Sequence, residues 1–304
     1  MQATTETGLI IRAQSGFFTV QTADGLVTCQ LRGRLKQGKA LGDIAAIGDR
    51  VVISTASPGT GMIENVEERR QALIRLDPRP RGVYQQVIIA NLDQVVFVFA
   101  CSHPTPRLRM LDRFLVIAEK QQIPAVIVAN KTDLVEERKA QTLFGHYPGL
   151  GYPVIYTSAS LKTGVDELRQ QLNGKISALA GPSGVGKSSL LNAVQSGLGL
   201  AVREVSSAVN KGQHTTNFRQ LFALAGGGYV GDTPGLRSLA LWDTEPEELD
   251  GYFPEIAPLV CQCKYNDCTH KPNAVDCAVR KAVDNGTVHP ERYESYVRLR
   301  AGEE

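Results

Sequence analysis

The stretch Gly181-Pro182-Ser183-Gly184-Val185-Gly186-Lys187-Ser188 narrows the possible folds of this chain more than any other. It reads G-x-x-x-x-G-K-S, the form of a phosphate-binding loop. An apolar run, Ile176 to Ala180, precedes it and reads as a short buried strand. Ser189-Leu190-Leu191-Asn192-Ala193-Val194 comes after it with helical character. A loop between strand and helix is the setting this motif requires. Its glycines let backbone N–H groups turn toward phosphate oxygens, and the helix N-terminus adds partial positive charge. Lys187 is expected to reach the β- and γ-phosphates and the Ser188 hydroxyl to ligate Mg²⁺, with Ser189 beside them in the nucleotide site. The bland alternative is a Gly-rich turn.

The surrounding pattern, residues 71–245, alternates strands and helices. Gln94 to Ala100, Ala125 to Ala129 and Val154 to Thr157 read as buried strands, Leu108 to Gln121 and Val165 to Leu172 as helices. Leu221 to Leu224 and Gly228 to Asp232 read as a hairpin through Gly226-Gly227. This is a doubly wound α/β domain. Asn130-Lys131-Thr132-Asp133 stands after the second of those strands and matches N-K-x-D, the guanine-recognition motif of GTPases. An aspartate can accept from both guanine N1–H and its 2-amino group. Adenine offers neither donor, and such a lost pairing can cost ~10⁴-fold in discrimination. Asn130 is expected to brace the loop, and the Lys131 stem to pack on the base. Ser158-Ala159, after the next strand, resembles the short S-A motif whose backbone N–H meets guanine O6. Asp232-Thr233-Pro234-Gly235 resembles D-x-x-G, where the Asp holds Mg²⁺ through water and the Gly N–H senses the γ-phosphate.

Order is the informative departure. Ordinary GTPases carry the phosphate loop first. Here N-K-x-D stands at 130, S-A at 158, the phosphate loop at 181 and D-T-P-G at 232, so the domain is circularly permuted. The chain then leaves the domain directly after its γ-phosphate sensor, and the nucleotide state is expected to set the orientation of the C-terminal domain.

On the N-terminal side, residues 1–70 hold five short candidate strands, with Asp24-Gly25 as a hairpin signal. They predict a small β-barrel of the OB-fold type. Arg32, Arg34, Lys36 and Lys39 form a basic segment within it, read either as a solvated loop or as phosphate-backbone contacts. A net charge of +2 over 304 residues does not by itself point to nucleic acid. No apolar run approaches the roughly 20 residues of a membrane span. The N-terminus lacks the form of a secretory signal, so a cytoplasmic protein with reduced thiols and no membrane partner is expected. Six cysteines then need another account. Cys29 and Cys101 stand in strand-like runs and read as core. In residues 246–304, Cys263, Cys268, His270 and Cys277 offer three thiolates and an imidazole, a closed structural set for one Zn²⁺. Such binding can supply ~10–16 kcal/mol to a segment too small for its own core. Cys261 is a possible substitute ligand.

Taken together, these motifs resemble the small ribosomal subunit biogenesis GTPase family, RsgA (also called YjeQ or YloQ), over nearly the whole chain. Leu92 to Val95, Asp112 to Leu115, Asn130 to Leu134, Gly181 to Asn192, Gly212 to Thr216, Asp232 to Gly235 and Cys263 to Val279 carry the likeness. It implies an OB-fold, a permuted GTPase domain and a zinc-binding, mostly helical C-terminal domain. It implies GTP hydrolysis to GDP, stimulated by the small ribosomal subunit during late maturation, with the rRNA as partner, in a monomer. It implies that Thr215, or alternatively Thr216, is the switch ligand to Mg²⁺. Leu236 stands where many GTPases place a water-orienting Gln, and leucine cannot position water. The family's proposed catalytic histidine corresponds to His214, whose other readings are an rRNA or structural contact. The His270–Cys277 spacing is one residue longer than the family pattern.

Overall fold

The computed structural model describes residues 4–37, 42–76, 84–198, 219–232 and 244–303. Its first five strands are β1 (Thr4–Gln14), β2 (Phe17–Gln21), β3 (Leu26–Leu31), β4 (Arg50–Ser57) and β5 (Thr60–Val66). They pair in the order β1-β2-β3-β5-β4, and β4 returns to β1 to close a barrel. Among these pairings only β3–β5 is parallel. The period-2 alternation of these strands supplies the interior: Ile10, Val20, Cys29, Val51, Ile53 and Ile63 are each 1% exposed or less. Closure leaves no free edge in the barrel. A hairpin of β6 (Ala72–Leu76) and β7 (Gln85–Ala90) comes next, which the sequence pattern did not single out.

The α/β part contains β8 (Gln94–Ala100), α1 (Leu108–Lys120), β9 (Ala125–Asn130), α2 (Glu137–Phe144), β10 (Val154–Thr157), α3 (Val165–Leu172), β11 (Ile176–Ala180), α4 (Lys187–Val194), β12 (Arg219–Ala223) and β13 (Tyr229–Asp232). The sheet order is β10-β9-β8-β11-β13-β12, parallel throughout except for β12. Every residue of β8 and β9 is buried, as a strand covered on both faces requires. The chain winds outward from β8 in one direction and from β11 in the other. The crevice at their carboxyl ends is therefore the topological switch point, where ligands bind in such sheets. The outer edge of β12 pairs with β1, with Arg12 opposite Gln220 and Ala13 opposite Arg219. Barrel and α/β sheet thus share one hydrogen-bonded ladder, and a single apolar cluster runs from Ile10 and Val20 to Phe97 and Phe114.

The C-terminal part is helical: a 3₁₀ turn at Glu248–Tyr252, then α5 (Ala257–Val260), α6 (Ala278–Asp284) and α7 (Pro290–Arg300). Its core of Leu249, Phe253, Ile256, Val279, Val288 and Tyr296 takes in Val116 from α1. Helix α1 is therefore buried on two sides, against the sheet and against this unit. A charge marks the second contact. Arg292 of α7 is fully buried, with Nη1 donating to Asp112 Oδ1 at 2.8 Å and Nε to Glu255 Oε1 at 2.7 Å. Tyr147 donates to the same Asp112 oxygen at 2.8 Å, and the guanidinium lies 4.5 Å from the Phe253 ring centroid. Burial opposes the charge on Arg292, but the facing Asp112 and Glu255 outweigh it and raise its pKa.

Removing one partner of a buried pair leaves an uncompensated charge, at a cost of about 3–5 kcal/mol. Arg292→Met is accordingly expected to loosen the C-terminal unit, seen as faster hydrogen exchange of the α7 amides. Adding Asp112→Asn and Glu255→Gln should restore much of the protection, since the stranded charges are then gone. Unchanged exchange in Arg292→Met would mean that apolar packing alone holds the unit on α1.

Candidate nucleotide and metal sites

The residues singled out in the sequence converge on one edge of the sheet. Gly181 to Gly186 leave the carboxyl end of β11, Lys131 to Asp133 that of β9 and Ser158-Ala159 that of β10. Asp232 ends β13. The remaining predicted residues, His214, Thr215, Thr216, Gly235 and Leu236, lie outside the described residues.

Backbone geometry explains the glycines of the phosphate loop. Gly181 sits at φ +147°, and a Cβ there would fall 2.1 Å from the Val98 carbonyl oxygen beneath it. Gly186 caps α4 at φ +96°, and its Cβ would fall 2.5 Å from Asn130 Nδ2. Only glycine fits either place. Lys187 opens α4, and its ammonium donates to the carbonyls of Gly181 and Pro182, at 2.8 Å each. It therefore lies over the loop, within reach of any phosphate cradled there. Ser188 and Ser189 occupy the next two positions in the first turn.

The N-K-x-D segment is tied to this loop by hydrogen bonds. Asn130 is buried, and its Nδ2 donates to the Val185 carbonyl at 2.7 Å. The hydroxyl of Thr157, also buried, donates to Asn130 Oδ1 at 3.0 Å and so fixes which face of the amide points at Val185. Lys131 adopts the left-handed conformation, and its Nζ donates to the Gly184 carbonyl at 2.7 Å and to that of His103. Burial pulls this ammonium below its usual pKa, and Asp133 offsets part of the effect. Asp133 is exposed. Ser158 donates to its Oδ1 at 2.6 Å and Ser160 to its Oδ2 at 3.1 Å. The Ser158 bond chiefly, against some burial, holds the carboxyl below the usual range, so it is an ionised acceptor at neutral pH. The role of Thr157 escaped the sequence reading, because a Thr ending a strand is ordinary strand chemistry. Only the strand register, which sets Thr157 opposite Asn130, reveals it.

A second cluster lies in the C-terminal unit. One donor atom from each of Cys263, Cys268, His270 and Cys277 falls within 4.8 Å of the others. Cys263 Sγ stands 3.9 Å from Cys277 Sγ, and His270 Nδ1 stands 3.4 Å from Cys277 Sγ and 3.6 Å from Cys263 Sγ. Ligand atoms around a tetrahedral ion with bonds of about 2.0–2.3 Å stand roughly 3.5–3.8 Å apart, so this set could hold one metal ion. The other nitrogen of His270 faces Asp250 Oδ2 at 3.4 Å, the carboxylate partner typical of a ligating imidazole. Tyr296 donates to the other oxygen of Asp250 at 2.6 Å, and Tyr293 donates to the His270 carbonyl at 2.7 Å. Cys261 is exposed and lies outside the cluster, its thiol directed to the Pro258 carbonyl. Between His270 and Cys277 the chain runs through a loop at Lys271 to Asp276, and His270 and Asp276 both take positive φ.

Comparison with known proteins gives the same answer. Residues 66–242 match the family described as RsgA GTPase, and residues 7–63 match the RsgA N-terminal domain. The chain is 45% identical over 302 residues to the small ribosomal subunit biogenesis GTPase RsgA of Gemmatimonas aurantiaca, covering 98% of this chain and 97% of that one. It is 42% identical to the protein of the same name from Moorella thermoacetica, covering 95% and 94%. Among solved structures, YjeQ from Thermotoga maritima matches with a TM-score of 0.78 at 38% identity, over 99% of each chain. YloQ, described as a circularly permuted GTPase, matches at 0.75 and 30%, over 99% and 95%. Fold and motif order define a circularly permuted P-loop GTPase. The chain belongs to the RsgA GTPase family and is a GTP hydrolase.

Asn130 joins the two loops, so its loss should be felt in affinity. Asn130→Ala leaves the buried Val185 carbonyl and Thr157 hydroxyl unpaired, worth about 1–3 kcal/mol, or roughly 5- to 150-fold. A titration with a fluorescent GDP analogue is expected to show weakening in that range. Full retention of affinity would show that the guanine loop holds its shape without this amide.

Proposed function

We propose that this GTPase binds the small ribosomal subunit and assists its late maturation, hydrolysing GTP to GDP and phosphate with stimulation by the subunit. The observation that carries the reading is likeness over the whole chain, barrel and metal-binding unit included, to relatives named for that role. We take residues 1–70 as an rRNA-binding barrel, 71–245 as the GTPase domain and 246–304 as a metal-stapled domain, acting as a monomer in the cytoplasm. Among the described residues no helix is long and apolar enough to cross a membrane.

In this reading the backbone from Gly181 to Gly186 cradles the phosphates, and Lys187 exchanges its loop carbonyls for β/γ oxygens. Ser188 and Thr215 would hold Mg²⁺, which would supply positive charge beside the phosphates. Asp133 reads guanine, Asp232 would help to hold Mg²⁺, and the Gly235 N–H senses the γ-phosphate. His214 orients the attacking water. The basic strip of the barrel supplies rRNA contacts, modulated by one carboxylate. Glu64 pairs with Arg32 at 2.7 Å and Arg34 at 3.3 Å and accepts from Ser54 at 2.6 Å, so two guanidiniums are held side by side. The Cys₃His set suits Zn²⁺, whose preferred donors are thiolate and imidazole. With four protein ligands and no open position, such a site staples the domain and leaves catalysis to the GTPase part.

The GTPase rate measured with each purified ribosomal subunit tests this directly. Stimulation by the small subunit alone is expected, and stimulation by the large subunit alone would refute the assignment. His214→Ala should keep GTP affinity nearly intact and lower the stimulated rate strongly. An unaltered rate would remove His214 from the mechanism. Elemental analysis of protein purified without chelator should find one zinc per chain, reduced in Cys268→Ser; a chain without zinc would remove the metal.

A further inference from the structure

One residue of the nucleotide site stands outside every motif. Ser160 lies beyond the S-A pair, yet its hydroxyl reaches Asp133 Oδ2 at 3.1 Å. Ser158, fully buried, reaches Oδ1 at 2.6 Å, and the two hydroxyl oxygens stand 2.9 Å apart. Ser158 is fixed by the fold. Its N–H donates to the Thr163 carbonyl at 3.0 Å, and its hydroxyl accepts from the Leu161 N–H at 3.1 Å. Ser160 is exposed, and the bond to Asp133 is its tie to the guanine loop.

The lone pairs of the carboxylate give this contact a meaning. A carboxylate offers about four acceptor sites, two on each oxygen. A single serine on Oδ1 would leave the carboxylate plane free to turn about that bond. A second serine on Oδ2 restrains the plane from its other side, beside a bond from the residue's own backbone N–H, and keeps acceptor capacity for incoming donors. That is what guanine needs, because N1–H and the 2-amino group present two parallel donors, one per oxygen. Hypoxanthine keeps N1–H but lacks the 2-amino group, so it has less to gain from a fixed plane.

We propose that Ser160 is a positioning residue for base selection, holding the Asp133 carboxylate in the plane that lets both of its oxygens meet guanine. This deepens the reading of Asp133 as the guanine acceptor and rests on it. The contribution is specific to the two-donor base. It acts on binding, not on the phosphoryl transfer some distance away.

The test compares GTP with inosine triphosphate, which lacks the 2-amino group, as substrates of full-length Ser160→Ala, Ser160→Thr and Asp133→Ala. For Ser160→Ala, KM for GTP is expected to rise about two- to tenfold with kcat unchanged, as loss of one exposed hydrogen bond would give. KM for the inosine nucleotide should change less, so the preference for GTP narrows. Ser160→Thr, which keeps the hydroxyl, should restore it. Equal changes for both nucleotides, or none, would overturn the proposal while leaving Asp133 in place. If Asp133→Ala itself leaves the preference intact, the underlying assignment of Asp133 fails, and this proposal with it.

Discussion

One side-chain amide organises the nucleotide edge of this molecule. Asn130 closes the gap between β9 and β11, two strands separated in the sheet by β8. It does so at Gly186, where a Cβ would collide with its nitrogen. The glycine that the phosphate loop needs for its own turn thus also makes room for the guanine loop. Thr157 orients the amide from the third strand, and Lys131 adds bonds to Gly184 and His103. The N-K-x-D segment and the G-x-x-x-x-G-K-S loop therefore form one hydrogen-bonded body at the carboxyl end of the sheet.

Much of this was legible in the sequence, because the signals were local. The buried strands Gln94 to Ala100, Val154 to Thr157 and Ile176 to Ala180 carry largely apolar runs, and their observed limits coincide with that pattern. The barrel was legible as five short candidate strands with a hairpin signal at Asp24-Gly25. What escaped was held by distant partners. Helix α2 buries only Ala140 and Phe144, too few to mark a helical face. The hairpin β6–β7 contains Arg75, whose guanidinium donates to Gln86 across the pair at 2.7 Å. Nothing in a single segment announces that exchange. Asp112 stands in a helix where an acidic residue reads as solvated, yet it is 1% exposed because Arg292 meets it from 180 residues away.

That same pair shapes what circular permutation can do. The permuted order sends the chain from the D-x-x-G segment straight into the C-terminal unit, which invites the picture of a domain swinging on a switch. The unit is not held by that connection alone. Val116 sits in its core, and Arg292 lies between Asp112 of α1 and Glu255. Separating α7 from α1 would break the Arg292–Asp112 bond and uncover Val116, while Glu255 stays with Arg292 in the C-terminal unit. Shifting such an equilibrium from about 1:99 to 99:1 takes ~5.5 kcal/mol of differential binding. A reorientation that moves α1 and α7 together keeps that bond. The α/β domain is thus tied to both ends of the chain by different means: a buried ion pair on one side, a shared backbone ladder on the other.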